Sequence, residues 1–161
     1  MKRLAVVATF LVLKQTMSVS AAPVTVTGPA ALALASVSAQ HSPLLSTDDK
    51  ELVARIFGGD SDVARSTRKM VSVTVDSIVC RVSNVDITTR HCEMAFKTSK
   101  LTLRGREANE MGATLAAAGA PTEGAAGSII ENISQLVCTI DANEISQMAG
   151  AGAKCTFETA Q

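Results

Sequence analysis

Tryptophan and tyrosine are missing from this chain, and it has only four phenylalanines. Once the first 21 residues are set aside, Phe57, Phe96 and Phe157 are the only aromatic side chains left. A surface that stacks bases or sugar rings needs exposed aromatic faces, so single-stranded nucleic acid and a typical carbohydrate platform are poor fits. The core must come from Val, Ile, Leu, Met and Ala. Histidine is scarce too. His41 and His91 are the only two, and no Cys-x-x-Cys pair is present. That leaves little material for zinc coordination or disulfide exchange. Excess positive charge is also lacking, with fifteen basic residues against fifteen acidic ones. Phosphate backbones demand concentrated positive charge, which argues against a nucleic-acid partner. No apolar run reaches the roughly 20 residues that a membrane-spanning helix needs.

What is present begins with the first residues. Lys2 and Arg3 precede an apolar stretch, Leu4 to Leu13, which ends at Lys14 and Gln15. Small residues follow around Ala21 and Ala22. This order predicts a secretory signal peptide over 1–21, cleaved between Val19 and Pro23. A later candidate cleavage site lies after Ala39. Removing 1–21 takes away Lys2, Arg3 and Lys14 and no acid, leaving 140 residues with a charge of −3. No integral membrane segment is expected after signal removal, and the predicted location is periplasmic or secreted.

All four cysteines, Cys80, Cys92, Cys138 and Cys155, fall in the mature part. An even count in an oxidising compartment predicts two disulfides. The favoured pairing joins neighbours, Cys80–Cys92 and Cys138–Cys155. Crossed pairing, Cys80–Cys155 with Cys92–Cys138, stays open.

Residues 22–47 read as an N-terminal extension of uncertain structure, and 48–161 as a single domain. Val24 and Val26 alternate briefly before Gly28 and Pro29, and Ala30 to Ala39 fits a helix or a loose segment. Asp48 with Glu51 forms a capping-box pattern ahead of Leu52, Val53, Ile56 and Phe57, and Gly58–Gly59 ends that helix. Val71, Val73 and Val75 alternate with polar residues and continue unevenly through Ile78 and Cys80 to Val82. Asn84 and Asp86 suit a turn. Cys92, Met94 and Phe96 form the returning strand, and Leu101 and Leu103 extend it past a bulge near Ser99.

Ala108, Met111, Leu115 and Ala118 lie at helical spacing, and Gly119 and Pro121 end that helix. Ser128 and Glu131 offer another cap for a helical stripe of Ile129, Ile130, Ile133, Leu136 and Val137, and the β-prone run Leu136 to Ile140 lets that helix pass into a strand. Asp141 and Glu144 suggest a third capped helix, closed by Gly150 and Gly152. Lys154 to Glu158 reads as a final strand. The expected fold class is α+β, a small antiparallel sheet with several short packed helices, stabilised by disulfides. No internal repeat is evident in the sequence.

No motif specifies a reaction. Gly150-Ala151-Gly152 is a fragment of a nucleotide-binding pattern, without the third glycine. A hydrolase would need His91 beside Ser77, Ser83 or Ser99, with Asp76 or Asp86 to orient it, and nothing local specifies that arrangement. Glu107 and Glu110 read as a solvated helix face. Asn132-Ile133-Ser134 matches a glycosylation acceptor, but Ile133 is expected in the core.

Lys97, Lys100, Arg104 and Arg106 stand out because they cluster where a strand meets a helix. They are the candidate ligand- or partner-binding residues, suited to an anionic small molecule or an acidic protein surface. No catalytic residue, metal site or cofactor is assigned. The functional expectation is an exported noncatalytic binding, inhibitory or structural module. The alternatives are a small exported hydrolase using His91 and an accessory subunit of an envelope assembly.

Overall fold

The computed structural model describes residues 22–60, 62, 69–83, 90–120, 122–123, 128–142 and 152–159. Its strands are β1 (Val24–Thr27), β2 (Met70–Ser83), β3 (His91–Phe96), β4 (Ser99–Arg104), β5 (Thr122–Glu123), β6 (Ser128–Asp141) and β7 (Ala153–Thr159). Three helices accompany them among the described residues: α1 (Gly28–His41), α2 (Thr47–Phe57) and α3 (Gly105–Ala117). The strands form one antiparallel sheet in the order β1-β7-β6-β2-β3-β4, with β5 pairing beside β6. The fold is therefore α+β, on a larger sheet than the sequence led us to expect.

Both disulfides join residues directly opposite each other on adjacent strands. Cys80 faces Cys92 across β2 and β3, and Cys138 faces Cys155 across β6 and β7. Strand alternation puts each bond on the helix-covered face, beside Ile78, Met94 and Leu136, and all four cysteines are fully buried.

A sulfur of each bond sits against a helix carbonyl: Cys92 Sγ is 3.4 Å from the Ala108 oxygen, and Cys155 Sγ is 3.3 Å from the Ala31 oxygen. Ala31 and Ala108 are themselves fully buried. Residues 22–47, left open by the sequence, thus supply an edge strand and a helix in the middle of the core. Helix α1 buries Ala31, Leu32, Leu34, Ala35, Ser36, Ser38 and Ala39. It is covered on several sides, so no amphipathic stripe marks it.

Three sequence expectations are corrected. The stretch around Ile129 to Val137 is strand, not helix. Within β6, Ile133, Leu136, Cys138 and Ile140 are buried. The interval of three between Ile133 and Leu136 arises where Gln135 takes φ 52° and the strand bulges against β7. Its partner β2 changes face at the same place, burying Val75 and then Ile78.

Leu101 and Leu103 belong to a separate strand, because Lys97 and Thr98 turn the chain tightly between β3 and β4. Helix α2 starts earlier than expected. Ser46 caps it, accepting from the Asp49 N–H at 3.2 Å and donating to Asp49 Oδ2 at 2.9 Å. Lys69, just before β2, reaches Asp49 Oδ1 at 2.5 Å. The Lys69 and Ser46 hydrogen bonds hold the Asp49 carboxyl below the usual carboxylate range. Val53 and Ile56 of α2 are buried, whereas Phe57 is half exposed. The expected helix after Asp141 and the turn at Asn84 and Asp86 lie outside the described residues.

The sheet divides into two related halves about the β2–β6 pair. In one half, Leu103 of β4 faces Cys92, and Gly105 follows at φ 56° as the first residue of α3. In the other, Val26 of β1 faces Cys155, and Gly28 follows at φ 73° as the first residue of α1. Each glycine comes two residues after the cysteine's partner and three before the alanine whose oxygen meets the sulfur. A left-handed backbone at that step turns strand into helix directly, which glycine does without steric cost. The internal repeat missing from the sequence is therefore present in three dimensions. One copy runs continuously through β2, β3, β4 and α3. The other takes β6 and β7 from the C-terminal part and β1 and α1 from the N-terminal part.

Candidate functional site

Helices α1 and α3 pack on one face of the sheet. The opposite face of β2, β3 and β4 carries the residues that alternate with the buried ones. Cross-strand register arranges them in three rows: Arg81, His91 and Arg104; Val79, Glu93 and Thr102; Ser77, Ala95 and Lys100. Adjacent strands lie about 4.8 Å apart, so the Arg81 and Arg104 backbones are separated by about 10 Å, with His91 between them. Lys100 lies about 13 Å along β4 from Arg104. Arg81, Arg104, Lys100 and Glu93 are exposed, and His91 is half-buried.

A groove of about 250 Å³ runs over the lower two rows, lined by Ser77, Val79, Glu93, Ala95, Lys100 and Thr102. Its floor is apolar at Val79 and Ala95. Lys100 donates, Glu93 accepts, and the two hydroxyls do either.

The four basic residues singled out in the sequence do not converge. Lys100 and Arg104 share the open face. Lys97 stands in the exposed β3–β4 turn. Arg106 leaves the sheet on the first turn of α3, where its Nε meets Glu110 Oε1 at 3.0 Å. The structure adds Arg81 and His91 to the group. Strand parity alone would have put Arg81 opposite Cys80's face, but pairing it with Arg104 needs the register of β3. Nearby Arg90 is engaged, donating from Nη1 to Asn109 Oδ1 at 2.9 Å and so tying β3 to α3.

His91 faces Arg81 and Arg104 across the strands, with no serine opposite it. Ser77 lies two rows away and Ser99 opposes Phe96 at the far end of the hairpin, so neither forms a nucleophile–base pair with it. His41 ends α1 on the covered face. Among the described residues, no group of three His, Cys, Asp or Glu is placed to hold a metal ion. Among the same residues, no helix is long and apolar enough to cross a membrane.

The equivalent place in the other half has a different composition. Thr139, Lys154 and Thr27 occupy the row that corresponds to Arg81, His91 and Arg104. Val137, Thr156 and Thr25 correspond to Val79, Glu93 and Thr102. The same frame therefore carries a basic row in one half and a threonine-rich row in the other. Comparison with protein-family models, with curated proteins and with solved structures finds no match to this chain.

Proposed function

We propose that this chain is an exported, noncatalytic binding module that engages an anionic partner through the open face of β2, β3 and β4. The observation that carries this reading is the contrast between the two halves. A backbone that accepts threonine at Thr139 and Thr27 does not require arginine at Arg81 and Arg104. Cations beyond what the frame needs, held in one row beside a groove, suit recognition of negative charge. Two buried disulfides support folding in an oxidising compartment, in keeping with the charged, apolar and small-residue order of residues 1–22.

The test is capture of partners from the extracytoplasmic fraction by the wild type and by an Arg81→Thr, Arg104→Thr variant. The variant is expected to lose a partner that the wild type retains at low salt. Identical capture by both would reject the open face as the binding surface. Mass spectrometry of the exported protein should find a mature N-terminus between Val19 and Pro23. Cytoplasmic protein retaining Met1 would reject export.

A further inference from the structure

We propose that the outer edge of β4 receives an extended acidic segment of a partner protein, which adds to the sheet as a further strand. This rests on the binding-module reading and names its partner. The sheet path ends at β4, and among the described residues no strand pairs with its outer side.

The pairing pattern shows which backbone groups face outward. The two-residue turn at Lys97 and Thr98 makes Phe96 and Ser99 a hydrogen-bonded pair, so bonded and non-bonded pairs alternate from there. Ser99, Leu101 and Leu103 then direct their backbone groups at β3, while Lys100, Thr102 and Arg104 direct theirs outward. The β2–β3 pairing agrees. Cys80 and Cys92 have Cα atoms 4.0 Å apart, the close spacing of a non-bonded pair, which leaves the Cys92 backbone to bond with Leu103.

The residues with outward backbone groups are thus the ones whose side chains lie on the open face. An added strand would place alternate side chains opposite Lys100, Thr102 and Arg104, with Cβ atoms about 4.5–5.5 Å away. Acidic residues four apart would meet Lys100 and Arg104, and a hydroxyl or β-branched residue between them would meet Thr102. Charge complementarity selects this occupant over a second copy of the chain. Antiparallel pairing of two β4 edges about Thr102 would set Lys100 against Arg104 twice, and opposed like charges are unfavourable. Edge strand β1 offers no such selection, because Pro23, Thr25 and Thr27 stand at the equivalent positions. A small anion would engage the cations and leave the backbone edge unused.

Fluorescence anisotropy of the disulfide-bonded protein with a labelled Glu-Val-Thr-Val-Glu peptide tests this. A peptide of the same composition with adjacent glutamates, and a backbone N-methylated version of the first, should each bind about tenfold more weakly. Thr102→Pro removes an outward N–H and no bond to β3, so it should also weaken binding about tenfold, while Thr102→Val stays within about threefold. If Thr102→Pro fails to fold, the N-methylated peptide against the wild type still decides. Equal binding of methylated and unmethylated peptides, or no peptide binding at all, would overturn strand addition. The binding-module reading would survive either result provided that the Arg81→Thr, Arg104→Thr variant still loses its partner. Unchanged capture by that variant would overturn the binding module itself.

Discussion

The half of the sheet built on Cys80–Cys92 and the half built on Cys138–Cys155 share a frame and differ in what they display. Each sets a disulfide beneath an alanine, and each turns from edge strand to helix through a glycine with positive φ. On the open face one half presents Arg81, His91 and Arg104, and the other Thr139, Lys154 and Thr27. What recurs is what the backbone demands. What differs is free of that demand, and is the natural place for function to reside. The comparison serves as an internal control in a chain where alternation and burial alone would not separate structural from functional polar residues.

The comparison breaks most visibly in the core. Leu34 in α1 and Met111 in α3 each lie three residues beyond the alanine that meets a disulfide, and both are fully buried. Leu34→Ala and Met111→Ala should each cost about 2–5 kcal/mol in denaturant unfolding. A loss at one site and none at the other would show that the two halves are not mechanically alike.

The disulfides come next. They close similar intervals, with sequence separations of 12 and 17. Replacing either pair by alanine should cost roughly 2–4 kcal/mol. A difference between the pairs much above about 1 kcal/mol would exceed what loop length explains and would point to unequal packing.

Smaller effects are expected at the two strand-to-helix steps. Neither Gly28 nor Gly105 has anything within 4 Å of the place where a Cβ would stand, so the cost of alanine there is backbone conformation alone. Gly28→Ala and Gly105→Ala should each destabilise by roughly 1–2 kcal/mol. A neutral result at either would mean that the turn relaxes to another conformation.

These paired positions also show what was legible in the sequence. The alternation around Cys80 and Cys92 identified two strands and their bond, because a half-buried strand has period two. The repeat escaped because its second copy is divided between the two ends of the chain. Helix α1 stayed one of two readings for Ala30 to Ala39, because small and apolar residues on all its sides leave no amphipathic stripe. Strand β6 was misread because the face change at Gln135 puts Ile133 and Leu136 three residues apart, which imitates a helix. The β3–β4 turn uses Lys97 and Thr98, without the Asn-Gly or Asp-Gly signal that marks a tight hairpin. Part of the basic group on the open face was visible as Lys100 and Arg104. Arg81 joins it only through register, which no local pattern encodes.

Asp49 offers a pH test outside the repeat, tying α2 to the start of β2. Its carboxyl titrates below the ordinary 3.8, chiefly through Lys69 and then Ser46. Stability from this contact is therefore present above that ordinary value and lost as pH falls through the lower folded one. Thermal unfolding between pH 7 and pH 2 should show a shallower acid limb for Lys69→Gln than for the wild type. Identical limbs would show that the pair contributes nothing measurable.

The most direct test transplants one half's residues onto the other. Arg81→Thr and Arg104→Thr give the basic row the threonines found at Thr139 and Thr27. Surface changes away from packing are expected to leave stability within about 0.5 kcal/mol. Unfolding of this double variant should match the wild type to that margin, while the anionic partner or the acidic peptide is no longer retained. A variant that unfolds more easily by well over about 1 kcal/mol would contradict the account, because the arginines would then belong to the frame. A variant that folds normally and binds as before would contradict it equally.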